Sequence, residues 1–188
     1  NVQGSGSQNP FNVASSTGSS LFTVDRYGRV LLGTSTIANI FLNGSRNTAV
    51  AQSNSIAIGN EALTYTSTSS ASLQNIALGY RALYGSSTVP MTGFDNFAAG
   101  YLAGSSNTSG AFNTFIGSNA GRDNTSGGDN IFIGEQAGAS NTEGSSNVIL
   151  GGQAGVANTT GINNAFIGHY AGFSNTTGSN NMLVGQNA

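Results

Sequence analysis

The chain has 188 residues, five basic and seven acidic, for a formal net charge of −2, and it contains no Cys and no Trp. No Lys/Arg stripe is available to neutralise phosphates, which excludes a nucleic-acid groove, and the lack of Cys excludes disulfides, thiolate chemistry and sulfur-ligated zinc. No apolar run approaches the roughly 18 residues of a bilayer-spanning helix, so direct membrane insertion is not expected, and no basic segment followed by an apolar one marks a leader.

Gly, Asn, Ser and Thr make up about half of the chain. Such a composition suits a disordered tract unless periodicity opposes it. Residues 1–20 are Gly/Ser/Asn-rich and read as extended or flexible. In LFTVDRYGRVLLG, Leu21 to Val24 and Arg29 to Leu32 have strand composition around a turn at Asp25-Arg26-Tyr27-Gly28, which predicts a hairpin. The remainder of 21–54 is a transition region, with NTAVA from Asn47 as a degenerate half-coil.

From Ser55 one phrase recurs: a polar residue (usually Asn), three mostly apolar residues, Gly, two variable residues, Ala and usually Gly. Its central glycines are Gly59, Gly79, Gly100, Gly117, Gly134, Gly151, Gly168 and Gly185, so the last five intervals are all 17 residues. A second phrase, Asn-Thr-x-Gly, begins at Asn107, Asn124, Asn141, Asn158 and Asn175. A 17-residue unit cannot bury its own apolar face, whereas stacked units can. Apolar runs of three or four residues punctuated by Gly rule out helices. The expected fold is therefore all-β: a β-solenoid of about eight coils over 55–188, its last copy truncated at Ala188, so the parent chain is expected to continue. The tracts Thr64 to Ser72 and Tyr84 to Gly93 read as lateral loops.

Column by column, the residue before the central Gly is apolar in every copy. This assigns Ile58, Leu78, Ile116, Ile133, Leu150, Ile167 and Val184 to the core. The residue two before Gly must then face the other way. It is bulky in the later copies, so Phe115, Phe132, Ile149, Phe166 and Leu183 are expected at an interface with another copy of the chain. The third residue after Gly is Ala in all eight copies, which implies a crowded inner position. The repeated Asn113, Asn130, Asn147, Asn164 and Asn181 place like amides one coil apart, as in an axial Asn ladder.

Catalytic constellations find little support. His169 is the only His and lies in a variable, polar column after the central Gly, which reads as solvent-facing. The carboxylates Asp95, Asp123, Asp129, Glu135 and Glu143 do not recur by column, and the Asp129 column otherwise holds Asp95, Phe112, Ser146, Asn163 and Asn180, so no periodic calcium stack is expected. No enzyme and no cofactor are expected. The rank Thr108, Thr125, Thr142, Thr159 and Thr176 raises ice binding, but its neighbour rank is interrupted by Glu143. The sequons at Asn107, Asn124, Asn158 and Asn175 coincide with the turn phrase. Tyr80, Tyr84, Tyr101 and Tyr170 are the candidate ligand contacts, suited to stacking on sugars.

The phrases SIAIGNEAL from Ser55, NTFIGSNAG from Asn113 and NAFIGHYAG from Asn164 resemble the head repeats of trimeric autotransporter adhesins of the YadA-like type. They are more similar still to the longer repeats of bacterial surface and phage tail-fibre proteins. The resemblance implies a homotrimer of left-handed β-rolls, located outside the cell on a cell surface or in a virion fibre. The implied function is structural and adhesive, a stiff rod that displays loops. The alternatives are a phage tail-fibre segment that binds a surface glycan or other receptor, and an ice-binding solenoid.

Overall fold

The structure, a computed structural model, describes residues 11–14, 20–24, 30–32, 40–42, 55–67 and 74–188, with side chains for the last two ranges. Its strands are β1 (Phe11–Ala14), β2 (Ser20–Val24), β3 (Val30–Leu32), β4 (Ile40–Leu42), β5 (Ile56–Ile58), β6 (Ile76–Leu78), β7 (Phe97–Ala99), β8 (Thr114–Ile116), β9 (Ile131–Ile133), β10 (Val148–Leu150), β11 (Ala165–Ile167) and β12 (Met182–Val184). The chain divides into two units, Asn1–Ile40 and Phe41–Ala188. In the first, β1–β2–β3 form an antiparallel sheet whose backbone register pairs Phe22 with Leu32 and Val24 with Val30. The turn expected at 25–28 and the half-coil expected at 47–51 lie outside the described residues.

The second unit is a β-solenoid. Strands β5 to β12 pair in parallel, each with the next, and the register repeats without slippage: Thr114 beside Ile131, Ile131 beside Val148, Val148 beside Ala165. Three-residue strands suffice because from β5 to β11 every strand is bonded on both sides. The chain leaves each strand at the central glycine. Gly134 has φ 138°, and a Cβ there would stand 2.5 Å from the carbonyl oxygen of Gly151, so only glycine lets the next coil approach. Three i→i+3 turns then carry the chain around: Ala120 N–H donates to Gly117 O (3.3 Å), Arg122 N–H to Asn119 O (3.2 Å) and Asn124 N–H to Gly121 O (3.0 Å). The last corner, before the next Asn, holds Asp129, Ser146, Asn163 and Asn180 at φ 56–60°. Asp and Asn tolerate that left-handed conformation better than most residues, which accounts for Asp95, Asp129, Asn163 and Asn180 in this column, while Phe112 takes the same conformation at φ 59°. The segment after Tyr65 extends this scheme, because Tyr65 bridges Gly85, Thr66 bridges Met91, and Met91 is fully buried. The described parts of the two expected loops, 64–67 and 84–93, thus contribute to the wall, and residues 68–72 lie outside the described residues.

Inside each coil the polar and apolar columns share one narrow interior. The Ala column is fully buried from Ala62 to Ala171 and exposed only at Ala188. Two asparagine ladders run beside it. In the first, the side-chain amide donates to the carbonyl oxygen of the preceding coil's Asn: Asn113 to Asn96 (3.0 Å), Asn147 to Asn130 (3.2 Å), Asn164 to Asn147 (3.1 Å) and Asn181 to Asn164 (3.0 Å). At Asn130 the backbone N–H reaches Asn113 Oδ1 (3.1 Å) while the side chain donates to Gly144 O (2.8 Å). Asn124, Asn141, Asn158 and Asn175 form the second ladder, at 2.7–3.0 Å. Among the described residues no buried side-chain nitrogen or oxygen lacks a partner. An unpaired buried amide costs about 1–3 kcal/mol, so the ladders are what makes a polar interior tolerable.

The structure reverses the inside–outside assignment of the strands. The middle residue points inward: Phe115, Phe132, Ile149 and Phe166 are fully buried within their own chain, and Leu183 packs partly buried against them. They are core residues, not inter-chain contacts. The residue before the central Gly points outward. Ile58, Ile133, Ile167 and Val184 are exposed, and Leu78, Ile116 and Leu150 are half-exposed. The physical reason is strand parity. The buried Asn sits two positions before the strand's middle residue, so these two share the inner side and the residues between and after them face out.

Candidate functional site

Parity places the first and last residue of each strand on the outer face. In-register pairing then aligns them into two stripes that run the length of the solenoid. One stripe holds Ile131, Val148 and Ala165, the other Ile133, Leu150 and Ile167. Over β5 to β12 the only outward strand residue with a polar side chain is Thr114, and none is charged. Eight strands at about 4.8 Å spacing make this apolar face roughly 34 Å long. Exposure stays substantial along it: 41% at Ile58, 39% at Ile133 and 63% at Val184. The first-position stripe was missed in the sequence. Its signal was the alternation that starts from the recurring Asn.

The four candidate tyrosines do not form one site. Tyr80 and Tyr101 occupy the column after the central Gly in neighbouring coils, and their rings stack at 5.4 Å with an interplanar angle of 12°. Tyr84 lies beside them, edge-on to Tyr65 at 5.0 Å. The Arg81 guanidinium sits 5.2 Å from the centre of Tyr80 and 4.8 Å from that of Tyr84, and Arg81 Nε donates to Glu61 Oε2. That hydrogen bond raises the Arg81 pKa above its ordinary value. The Tyr84 phenol is also raised, first by its hydrogen bond with Tyr65 and then by burial. Tyr170 lies five coils from Tyr80, against His169 and Phe173. His169 itself is exposed and leans over Gly152.

The remaining polar ranks are occupied internally. Hydroxyls of Thr108, Thr125, Thr142 and Thr159 each donate to the next coil's Thr carbonyl, at 3.0–3.2 Å. The sequon residues Asn107, Asn124 and Asn158 are fully buried in the second ladder, so their amides are not presented for modification. Among the described residues no three His, Asp or Glu side chains gather as a metal cluster. Comparison with protein-family models, curated proteins and solved structures finds no match. The fold and its outward face define a β-solenoid repeat protein with an uncovered apolar wall.

Proposed function

We propose that this chain is a non-enzymatic structural segment of an extracellular fibre or adhesin, assembled as a homotrimer, in which residues 21–33 form a hairpin ahead of the rod. The observation that carries the reading is the continuous apolar outer face of β5 to β12. Soluble monomers rarely expose contiguous apolar patches beyond a few hundred Å². Closed symmetry lets identical stripes cover one another around the rod axis. The trimer order and the surface location rest on the resemblance of the repeats to YadA-like heads. An axial hydrogen-bond system that already uses the Thr hydroxyls favours a rod over an ice-binding face.

Sedimentation tests the assembly. The wild-type chain is expected at three times 18.9 kDa. The double variant Ile133→Asp, Ile167→Asp places charges in the middle of the outer face, and it is expected to sediment as a monomer with an unchanged β-type circular dichroism spectrum. A stable wild-type monomer at micromolar concentration overturns the reading.

A further inference from the structure

We propose that the tyrosine stack on the early coils is a binding site for a neutral oligosaccharide. The inference deepens the adhesive part of the reading above and rests on it. The column after the central Gly is otherwise Asn60, Ser118, Glu135, Gly152, His169 and Gln186. Two adjacent coils place Tyr there instead. These rings add nothing to the interior, because Tyr80 is 37% and Tyr101 53% exposed while Leu83 and Phe115 fill the core behind them. One face of Tyr101 meets Tyr80. On the other side the next coil has only Ser118 in the column, so that ring face has no aromatic or cationic neighbour among the described residues.

The hydrogen-bonding groups beside the stack are incompletely used. Arg81 spends Nε on Glu61 Oε2, and its two terminal amines, which lie beside the Tyr80 and Tyr84 rings, have no hydrogen-bond partner among the described residues. Glu61 Oε1 has none either. Both side chains remain accessible, at 38% and 34%. Arg122 and Asp123, two to three coils further on, are the internal contrast. They join by two bonds, Nε to Oδ1 (2.8 Å) and Nη2 to Oδ2 (2.6 Å), which occupy both carboxylate oxygens, and among the described residues no aromatic ring pairs with the guanidinium.

An aromatic ring with a negatively polarised face accepts the C–H-bearing face of a pyranose. Adjacent sugar hydroxyls can both accept and donate, and the free Arg81 amines and Glu61 Oε1 offer the complementary pair. The guanidinium charge is matched by the carboxylate, so the site does not select an anionic sugar. From Glu61 to Tyr101 the patch spans three coils, roughly 10 Å, which favours an oligosaccharide over a single hexose.

The full chain is screened on a glycan array, and binding is quantified with lactose, maltotriose, cellotriose and mannotriose as neutral probes and sialyllactose as the anionic one. Tyrosine fluorescence reports stacking directly, because the chain has no Trp. At least one neutral probe is expected to bind. Tyr101→Ala and Arg81→Met should each weaken it about tenfold, the equivalent of one well-placed contact, while Tyr101→Phe and Arg122→Met leave it unchanged. Circular dichroism confirms that each variant is folded. Failure of every neutral probe, binding of sialyllactose alone, or an equal loss in Arg122→Met overturns the proposal. The two readings fail separately: a chain that sediments as a monomer but binds a neutral probe defeats the fibre, and a trimer that binds none defeats the site.

Discussion

The first two coils and the later ones fill the same interior from opposite walls. In the Gly59 and Gly79 coils the strand contributes Ala57 or Ala77, and the large side chain comes from the turn, as Leu63 or Leu83. From the Gly117 coil onward the strand contributes Phe115, Phe132, Ile149 or Phe166, and the turn position is Gly121, Gly138, Gly155 or Gly172. A Cβ on Gly138 would lie 2.7 Å from the Phe132 ring, and one on Gly172 2.6 Å from Phe166. The turn glycine is therefore required wherever the strand supplies bulk. The Gly100 coil is the seam. Both of its positions are small, Ala98 and Gly104, and a Cβ on Gly104 would meet Leu83 from one neighbour (3.0 Å) and Phe115 from the other. Outside this seam each coil thus carries one large apolar side chain, but not always in the same column, and the seam is filled from its two neighbours.

The two solutions differ in backbone strain. The turn position is left-handed throughout: φ is 50° at Leu63 and 46° at Leu83, against 56° at Gly138. A left-handed Leu costs roughly 1–2 kcal/mol that Gly does not. The later coils obtain their core without that cost. The largest expected effect is accordingly Phe132→Ala, which leaves a cavity with Gly138 unable to fill it. It should destabilise by about 3–5 kcal/mol in thermal or denaturant unfolding at fixed chain concentration. Leu83→Gly should cost less, roughly 1–3 kcal/mol, because the usual penalty of about 2–5 kcal/mol for truncating a core Leu is offset in part by release of the left-handed strain of about 1–2 kcal/mol that any Cβ suffers there. Equal losses at the two sites would show that strain does not separate the two designs.

The sequence made the period, the strand positions and the inner Ala and Asn columns readable, because each repeats one residue type at one spacing. It did not make the orientation of the strand equally plain. All three strand positions are mostly apolar, as in Ile131-Phe132-Ile133, so hydrophobicity alone cannot say which one is enclosed. Ranking columns by uniform apolarity favoured Ile133, whose column is uniform because it lines an outer face with uniform demands. The deciding signals were the parity of Asn130 with Phe132 and the exchange of Ala57 and Leu63 for Phe132 and Gly138. That exchange couples positions six residues apart across a turn, and no single column shows it. The tyrosine patch was half legible: the residue types stood out, but only the coil stacking joins Tyr80 to Tyr101 and sets Tyr170 apart.

The smallest net effect is expected from moving the early design into a late coil. Gly138→Leu alone should be strongly destabilising, because its side chain would collide with Phe132 and its backbone would take up the left-handed strain. In Phe132→Ala, Gly138→Leu the new Leu enters the space that the ring has vacated, from a backbone whose φ of 56° already resembles those of Leu63 and Leu83. The wall behind it is the same in both regions, since Ala137 occupies the position that Ala62 and Ala82 hold. The double variant should thus be more stable than the sum of its parts predicts, with a coupling of at least about 1–3 kcal/mol in a double-mutant cycle. Its residual loss should approach the strain of one left-handed Leu, roughly 1–2 kcal/mol. Additive losses would mean that the two columns do not fill one shared space, and that the Ala–Leu and Phe–Gly coils are separate folds of the turn. Recovery by Gly138→Leu but not by Gly138→Val would sharpen the idea further, because a β-branched side chain is disfavoured at positive φ and is too short to reach the vacated centre.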